Sequence, residues 1–226
     1  MPVPFCYEAI RREKGAYSCA LDSRWVGLYN FAHRSHQAKD RMIGNKLPRE
    51  FYERDTVLVA RELLGKTLVH VSDGLERAGK IVEVEAYLGP QDLASHSSRG
   101  RTKRTSVMFG PPGHAYVYII YGMYNCMNFV TEPEGQAAAV LLRALEPVKN
   151  VAGRTQGPGL LCRAMGIDRS LNAHDLLSAD FYIATPPELD VLTIVERPRI
   201  GVGYAGEWAE RPLRFYIEDN PFLSRK

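Results

Sequence analysis

Four tyrosines crowd one short stretch of this 226-residue chain: Tyr116, Tyr118, Tyr121 and Tyr124. Aromatic rings stack on nucleobases, at about 1–3 kcal/mol each. On an ideal strand Tyr118 and Tyr121 have opposite parity, so one can wall a pocket while the other projects from a hairpin end. Tyrosines of a β-rich segment also fill cores, so by itself the cluster leaves both readings open. Upstream, Glu85 and Tyr87 alternate onto one strand face. A carboxylate beside an aromatic wall can serve as a general base, and an ordinary strand glutamate would look the same. His96 precedes a basic run, Arg99-Gly100-Arg101-Thr102-Lys103-Arg104. That run suits phosphate contacts or plain solvation. Charge and stacking residues side by side are the footprint of a nucleic-acid or nucleotide site.

The elements that must position these groups follow from periodicity and punctuation. Asp55 can cap a helix over 56–64, stopped by Gly65. Strand patterns cover 66–71 and 80–87. In the second, Val82, Val84 and Ala86 face one way, and Ile81, Glu83, Glu85 and Tyr87 the other. Gly89-Pro90 ends that strand, and 95–113 reads as loop. Segments 115–121 and 126–131 form a hairpin through Gly122-Met123-Tyr124-Asn125. A largely apolar strand over 137–145 is interrupted by Arg143. Pro158 opens a short helix through Met165, closed by Gly166. Further strands are expected over 182–184, 191–196 and 213–217. The pattern predicts a single α+β domain: a curved, mainly antiparallel sheet, a protruding β-hairpin and peripheral helices. Residues 1–45 are basic and without sustained periodicity, and read as a weakly ordered extension to a domain over 46–226.

Hydrophobic residues make up 45% of the chain, enough for a substantial core, and the net charge of +3 is only mildly basic. Cys6, Cys19, Cys126 and Cys162 form no CxxC pair, and no second His or Cys clusters near His96. The reading therefore assigns neither a metal nor another cofactor. No apolar run approaches the roughly 20 residues of a membrane span. Scattered cysteines and the lack of a signal sequence fit a soluble intracellular protein.

Several motifs in fixed order carry the reading further. They are Glu85-Ala86-Tyr87-Leu88-Gly89-Pro90, Ala94-Ser95-His96-Ser97, Met108-Phe109-Gly110-Pro111-Pro112-Gly113 and Tyr116-Val117-Tyr118-Ile119-Ile120-Tyr121-Gly122-Met123-Tyr124. Cys126-Met127-Asn128, Leu141-Leu142-Arg143-Ala144-Leu145-Glu146-Pro147 and Gly201-Val202-Gly203-Tyr204-Ala205-Gly206-Glu207-Trp208 complete the series. From Leu47 onward the chain closely resembles the alkyladenine (3-methyladenine) DNA glycosylase family of the methylpurine type.

The resemblance implies eversion of a damaged purine from duplex DNA and hydrolysis of its N-glycosidic bond, leaving an abasic site. By the same match Glu85 is the catalytic base and Arg143 helps to hold its water, with the Ile200 carbonyl as another water ligand. Tyr118 walls the base pocket opposite Tyr87 and His96, whose backbone N–H reads the purine. Asn128 crowds the guanine amino group. Tyr121 wedges into the duplex, flanked at the DNA by Met123, Tyr124, Arg101 and Arg104. No matched residue is a lysine nucleophile, so lyase activity is not expected. The implied partner is double-stranded DNA bound by a monomer, in the cytoplasm of a bacterium or the nucleus of a eukaryote. Leu160 departs from the family, which often carries lysine there, and Arg163 is the candidate to compensate. A non-catalytic DNA- or RNA-binding protein on the same scaffold is the rival, and Glu85 argues against it. A nucleotide-modifying enzyme with a separate cofactor domain lacks both a GxGxxG fingerprint and the length.

Overall fold

The computed structural model describes residues 44–188 and 190–225. The basic extension over 1–45 lies almost wholly outside the described residues, as do Cys6 and Cys19. The described residues fall in one compact unit spanning 40–226.

Nine strands form one sheet among the described residues, and every pairing is antiparallel. In chain order they are β1 (Asn45–Lys46), β2 (Thr67–Ser72), β3 (Leu75–Tyr87), β4 (Ala115–Ile120) and β5 (Tyr124–Thr131), then β6 (Ala138–Lys149), β7 (Phe181–Thr185), β8 (Ile194–Arg197) and β9 (Arg214–Ile217). The main path runs β1-β7-β2-β3-β6-β5-β4. The helices are short: α1 (Arg49–Tyr52), α2 (Thr56–Leu63), α3 (Pro158–Met165) and α4 (Glu207–Glu210). This is the α+β architecture the pattern predicts. No helix among the described residues is long and apolar enough to cross a membrane.

The long strand β3 is the spine. Its first half pairs β2 through a two-residue turn whose Asp73 and Gly74 both have positive φ, the conformation that closes a tight hairpin. Its second half pairs β9, while β6 runs along the opposite edge. Three irregularities interrupt the β3–β6 register, the first between Ala78 and Gly79, where Val148 is extra on β6. Ile81 faces Leu145 and Glu83 faces Ala144, leaving Val82 extra on β3. Val84 then faces Leu142, leaving Arg143 extra on β6. The bulge at Val82 corrects the simple alternation. Ile81 joins Val82, Val84 and Ala86 in the main core, and only Glu83, Glu85 and Tyr87 keep to the other side. An inserted residue resets side-chain parity, which period-two reading cannot foresee. The strand ends at Tyr87, and the chain bends at Gly89, where φ is +91° and an added Cβ would lie 2.5 Å from the Gln136 carbonyl oxygen.

Local chemistry fixes the helices. Asp55 accepts the Leu58 N–H at 2.9 Å and starts α2, whose Val59, Ala60 and Leu63 enter the core. In α3, Pro158 stands in the first turn and Gly166 at φ +70° closes the last, so its bounds match those expected. Leu161, Cys162 and Met165 of α3 join the same core. The hairpin is tighter than the sequence suggests. Ile120 pairs Tyr124, so the connection is Tyr121-Gly122-Met123 and Tyr124 already belongs to β5.

Candidate active site

The site forms on the side of the sheet away from the main core. Along β4, Ala115 and Val117 enter that core, while Tyr116 and Tyr118 pack in a second cluster with Met108. A cavity of about 260 Å³ opens there. Its lining includes Tyr87, His96, Tyr118, Asn128, Arg143 and Ile200, which sequence reading had placed together. It also includes Met108, Cys126, Leu141 and Tyr204, which sequence reading did not assign. Asn128 is held by its side-chain N–H donating to the Tyr116 carbonyl at 3.1 Å.

Glu85 is fully buried and lies immediately behind this lining. Its Oε2 accepts the Tyr87 hydroxyl at 2.9 Å. Its Oε1 accepts the Ile200 amide N–H at 2.8 Å and stands 3.2 Å from an Arg143 guanidinium nitrogen. All three partners face the cavity, so the carboxylate sits one side chain behind the cavity. Burial opposes the charge on Arg143, but Glu85 and Glu83 outweigh it and hold the guanidinium more firmly protonated than usual. Tyr87 is held neutral, its pKa raised first by burial and then by the Glu85 charge. It therefore donates to the carboxylate rather than competing with it as an anion.

His96 meets Tyr118 edge-on, with ring centroids 4.6 Å apart and planes at 66°. A base sandwiched between two rings needs them about 7 Å apart, twice the van der Waals contact distance. These two rings must part before a base can lie between them. The His96 Nδ1 sits 3.0 Å from the Tyr116 hydroxyl. Burial, and then the charges of Arg104 and Arg99, push its pKa down from 6.5 to about 4. Folding thus favours the neutral ring. Its stabilising contribution is complete above the ordinary value and is lost as pH falls from there through about 4. An NMR titration of the His96 ring is expected to give a midpoint near 4; a midpoint near the ordinary 6.5 would contradict this environment.

Tyr121, which lines the cavity, is 86% exposed, and Met123, in the same turn, is 64% exposed. Tyr121 also holds φ at +50°, a conformation that a tyrosine adopts at a cost of about 1–3 kcal/mol. Tyr121 is the first residue of the turn joining β4 to β5, where tight hairpins take positive φ. Tyr124 packs against α3, where a Cβ at Gly159 would lie 2.8 Å from its ring. Arg163 places its guanidinium 5.8 Å from the centre of that ring. Arg101 is exposed on its loop, and Arg104 lies over the Tyr118 ring at 5.1 Å.

The family model of methylpurine-DNA glycosylase matches residues 50–221 of this chain. The chain belongs to that family. Among its relatives are provisionally named 3-methyladenine DNA glycosylases. One from Legionella pneumophila (strain Corby) is 69% identical over 181 residues, covering 80% of this chain and 98% of the relative. Another from Anaeromyxobacter dehalogenans (strain 2CP-1) is 55% identical over 183 residues, 80% of this chain and 86% of the relative. A third from Myxococcus xanthus (strain DK1622) is 48% identical over 183 residues, 80% and 94%. The protein is thus a DNA glycosylase, a hydrolase of N-glycosyl bonds.

This glycosylase builds its site on charged residues that sequence reading missed. Arg199 and Asp92 form a bidentate pair at 2.5 and 2.9 Å, both side chains fully buried. Arg199 also donates to the Ala86 and Trp208 carbonyls and lies over the Tyr87 ring at 4.6 Å. It is the residue before Ile200, so one guanidinium fixes both the Tyr87 wall and the backbone that reaches Glu85. Asp92 in turn accepts the Leu88 and Ala94 N–H groups and folds the loop leading to His96. Glu83, also fully buried, accepts from Arg143 at 3.1 Å and Arg214 at 3.0 Å. Among the described residues no group of His, Cys, Asp and Glu is placed to hold a metal ion.

Proposed function

We propose that this glycosylase excises alkylated or deaminated purines from duplex DNA by everting them into the cavity beside Glu85. The observation that supports this best is the placing of one buried carboxylate directly behind an aromatic-walled pocket, with Tyr87, Arg143 and the Ile200 N–H converging on it. A buried carboxylate is retained when it is paired and hydrogen-bonded, and this one is held as an acceptor facing the pocket wall.

In the proposed reaction, Glu85 takes a proton from a water molecule admitted between its three partners. The water oxygen bonds to C1′ of the deoxyribose as the bond from C1′ to the base nitrogen breaks. The bonding electrons leave with the base. The positive charge that develops on the sugar is stabilised by the same carboxylate, as in glycoside cleavage generally. Arg143 and the Ile200 carbonyl orient the water. The base lies against Tyr118 once His96 has swung aside, the neutral His96 and its backbone N–H read its edge, and Asn128 disfavours guanine. Products are a free base and an intact strand carrying an abasic site. The protein acts as a monomer, with Arg101, Arg104 and the hairpin tip on DNA. Arg163, beside Tyr124, supplies the positive charge that Leu160 does not. Duplexes carrying 3-methyladenine, 7-methylguanine, hypoxanthine or ethenoadenine test this reading. Release of free base, with strand breakage only after alkali, is expected. No release from any of the four, or breakage without alkali, would contradict it.

Tyr121 separates eversion from folding. As the wedge filling the vacated stack it contributes about 1–3 kcal/mol, or roughly 5- to 150-fold in the everted population. Tyr121→Ala is therefore expected to lower the everted fraction, read by the fluorescence of an ethenoadenine lesion, by that factor. The thermal midpoint should stay within about 2 °C, because the side chain is already in solvent. Parallel losses of midpoint and eversion would make Tyr121 a packing residue instead.

A further inference from the structure

Arg143 is a single guanidinium between two fully buried carboxylates. Its Nε donates to Glu83 Oε1 at 3.1 Å, while another of its nitrogens stands 3.2 Å from Glu85 Oε1. Different nitrogens of one guanidinium thus serve the two acids at once. What holds Glu83 therefore bears on how the guanidinium is aimed at Glu85.

Glu83 is held from the far end of the chain. Ser224 donates its backbone N–H to Glu83 Oε2 at 2.6 Å and its hydroxyl to Glu83 Oε1 at 2.8 Å. The same hydroxyl oxygen accepts from two Arg143 nitrogens, Nε at 3.4 Å and a terminal one at 3.2 Å. A serine hydroxyl can give one hydrogen bond and receive two, and here it does both between the acid and the base. The segment is seated independently of this hydroxyl. Asn220 donates to Glu146 at 3.0 Å and accepts the Phe222 N–H at 2.9 Å. Phe222 and Leu223 pack on the main core, and the Arg225 carbonyl accepts from Arg214 at 3.0 Å.

We propose that Ser224 is a positioning residue for base excision, acting through Glu83 and Arg143. Its two donors, with Arg214, satisfy Glu83, so that the Arg143 guanidinium stays extended toward Glu85. Without the hydroxyl, Glu83 loses a donor and Arg143 an acceptor, and the guanidinium turns toward Glu83. Arg143 then leaves the carboxylate that meets water. The inference rests on the reading of Glu85 as the catalytic base.

The test is single-turnover excision by the full chain carrying Ser224→Ala, Ser224→Thr or Glu85→Gln, with duplex affinity and thermal midpoint measured beside it. Losing one hydrogen bond to charged groups corresponds to roughly a 10- to 150-fold slower reaction. Ser224→Ala is expected to show that loss in rate, with duplex affinity within about 2-fold and the midpoint within a few degrees. Ser224→Thr, which keeps the hydroxyl, is expected to recover the rate to within about 2-fold. A wild-type rate for Ser224→Ala, a loss that threonine does not recover, or a rate that merely follows the unfolded fraction would each overturn the proposal. If Glu85→Gln is inactive while Ser224→Ala is normal, this inference alone falls. If Glu85→Gln is active, the reading of Glu85 falls and this inference with it.

Discussion

Glu85→Gln is expected to slow single-turnover base excision by about 10³-fold, within the range by which general acid–base groups accelerate reactions. Damaged-duplex affinity and fold should remain. Glutamine has the same length, and its amide oxygen can still accept the Ile200 N–H at the position of Oε1. The amide nitrogen then faces the Tyr87 hydroxyl, which can accept as well as donate. Arg143 keeps a carboxylate partner in Glu83, so no buried charge is left unpaired. What disappears is the one group able to take a proton from water and to face a developing positive charge. A fall of less than about 10-fold, below the range of general acid–base groups, would remove Glu85 from that role.

The second large effect concerns the buried pair behind Tyr87. Asp92→Ala leaves Arg199 buried without its bidentate acceptor, and breaking such a pair costs about 3–5 kcal/mol. Against a total stability of about 5–15 kcal/mol this is a large fraction, and it should be plain in urea unfolding. A loss below about 1 kcal/mol would mean that the Ala86 and Trp208 carbonyls already satisfy Arg199. The double change Asp92→Leu with Arg199→Met divides the two roles of the pair. Replacing both charges by apolar groups is expected to restore much of the stability. Excision should stay impaired, because the guanidinium stacked on Tyr87 and bonded to the Ala86 and Trp208 carbonyls is still missing.

The parts of this molecule that local rules govern were legible in its sequence. Gly157-Pro158 and Gly166 bound α3 to the residue, because they act on backbone geometry within one turn. Asp55 marked the start of α2, and the tyrosine-rich hairpin appeared where alternation and turn residues placed it. Tyr87, His96, Tyr118, Asn128, Arg143 and Ile200 do line one cavity, but the aromatic cluster alone favoured core filling over a pocket; the family motifs pointed the other way. What stayed hidden depends on pairing across the chain. The bulges at Val82 and Arg143 exist only in the register between β3 and β6, so Ile81 was put on the wrong face. Asp92 and Arg199 lie 107 positions apart, and each alone resembles a surface charge. Glu83 shares a face with Glu85, which alternation did give, yet its burial depends on Arg214 and Ser224 arriving from the last elements of the fold.

The most direct test of the account is a structure of the Glu85→Gln protein bound to a duplex containing ethenoadenine. The predicted result is a purine outside the helix with its face against Tyr118, His96 swung off that ring, Tyr121 in the vacated stack and the glutamine amide beside C1′. A lesion still stacked in the duplex, or one bound away from the cavity that Arg143 and Ile200 line, would contradict it.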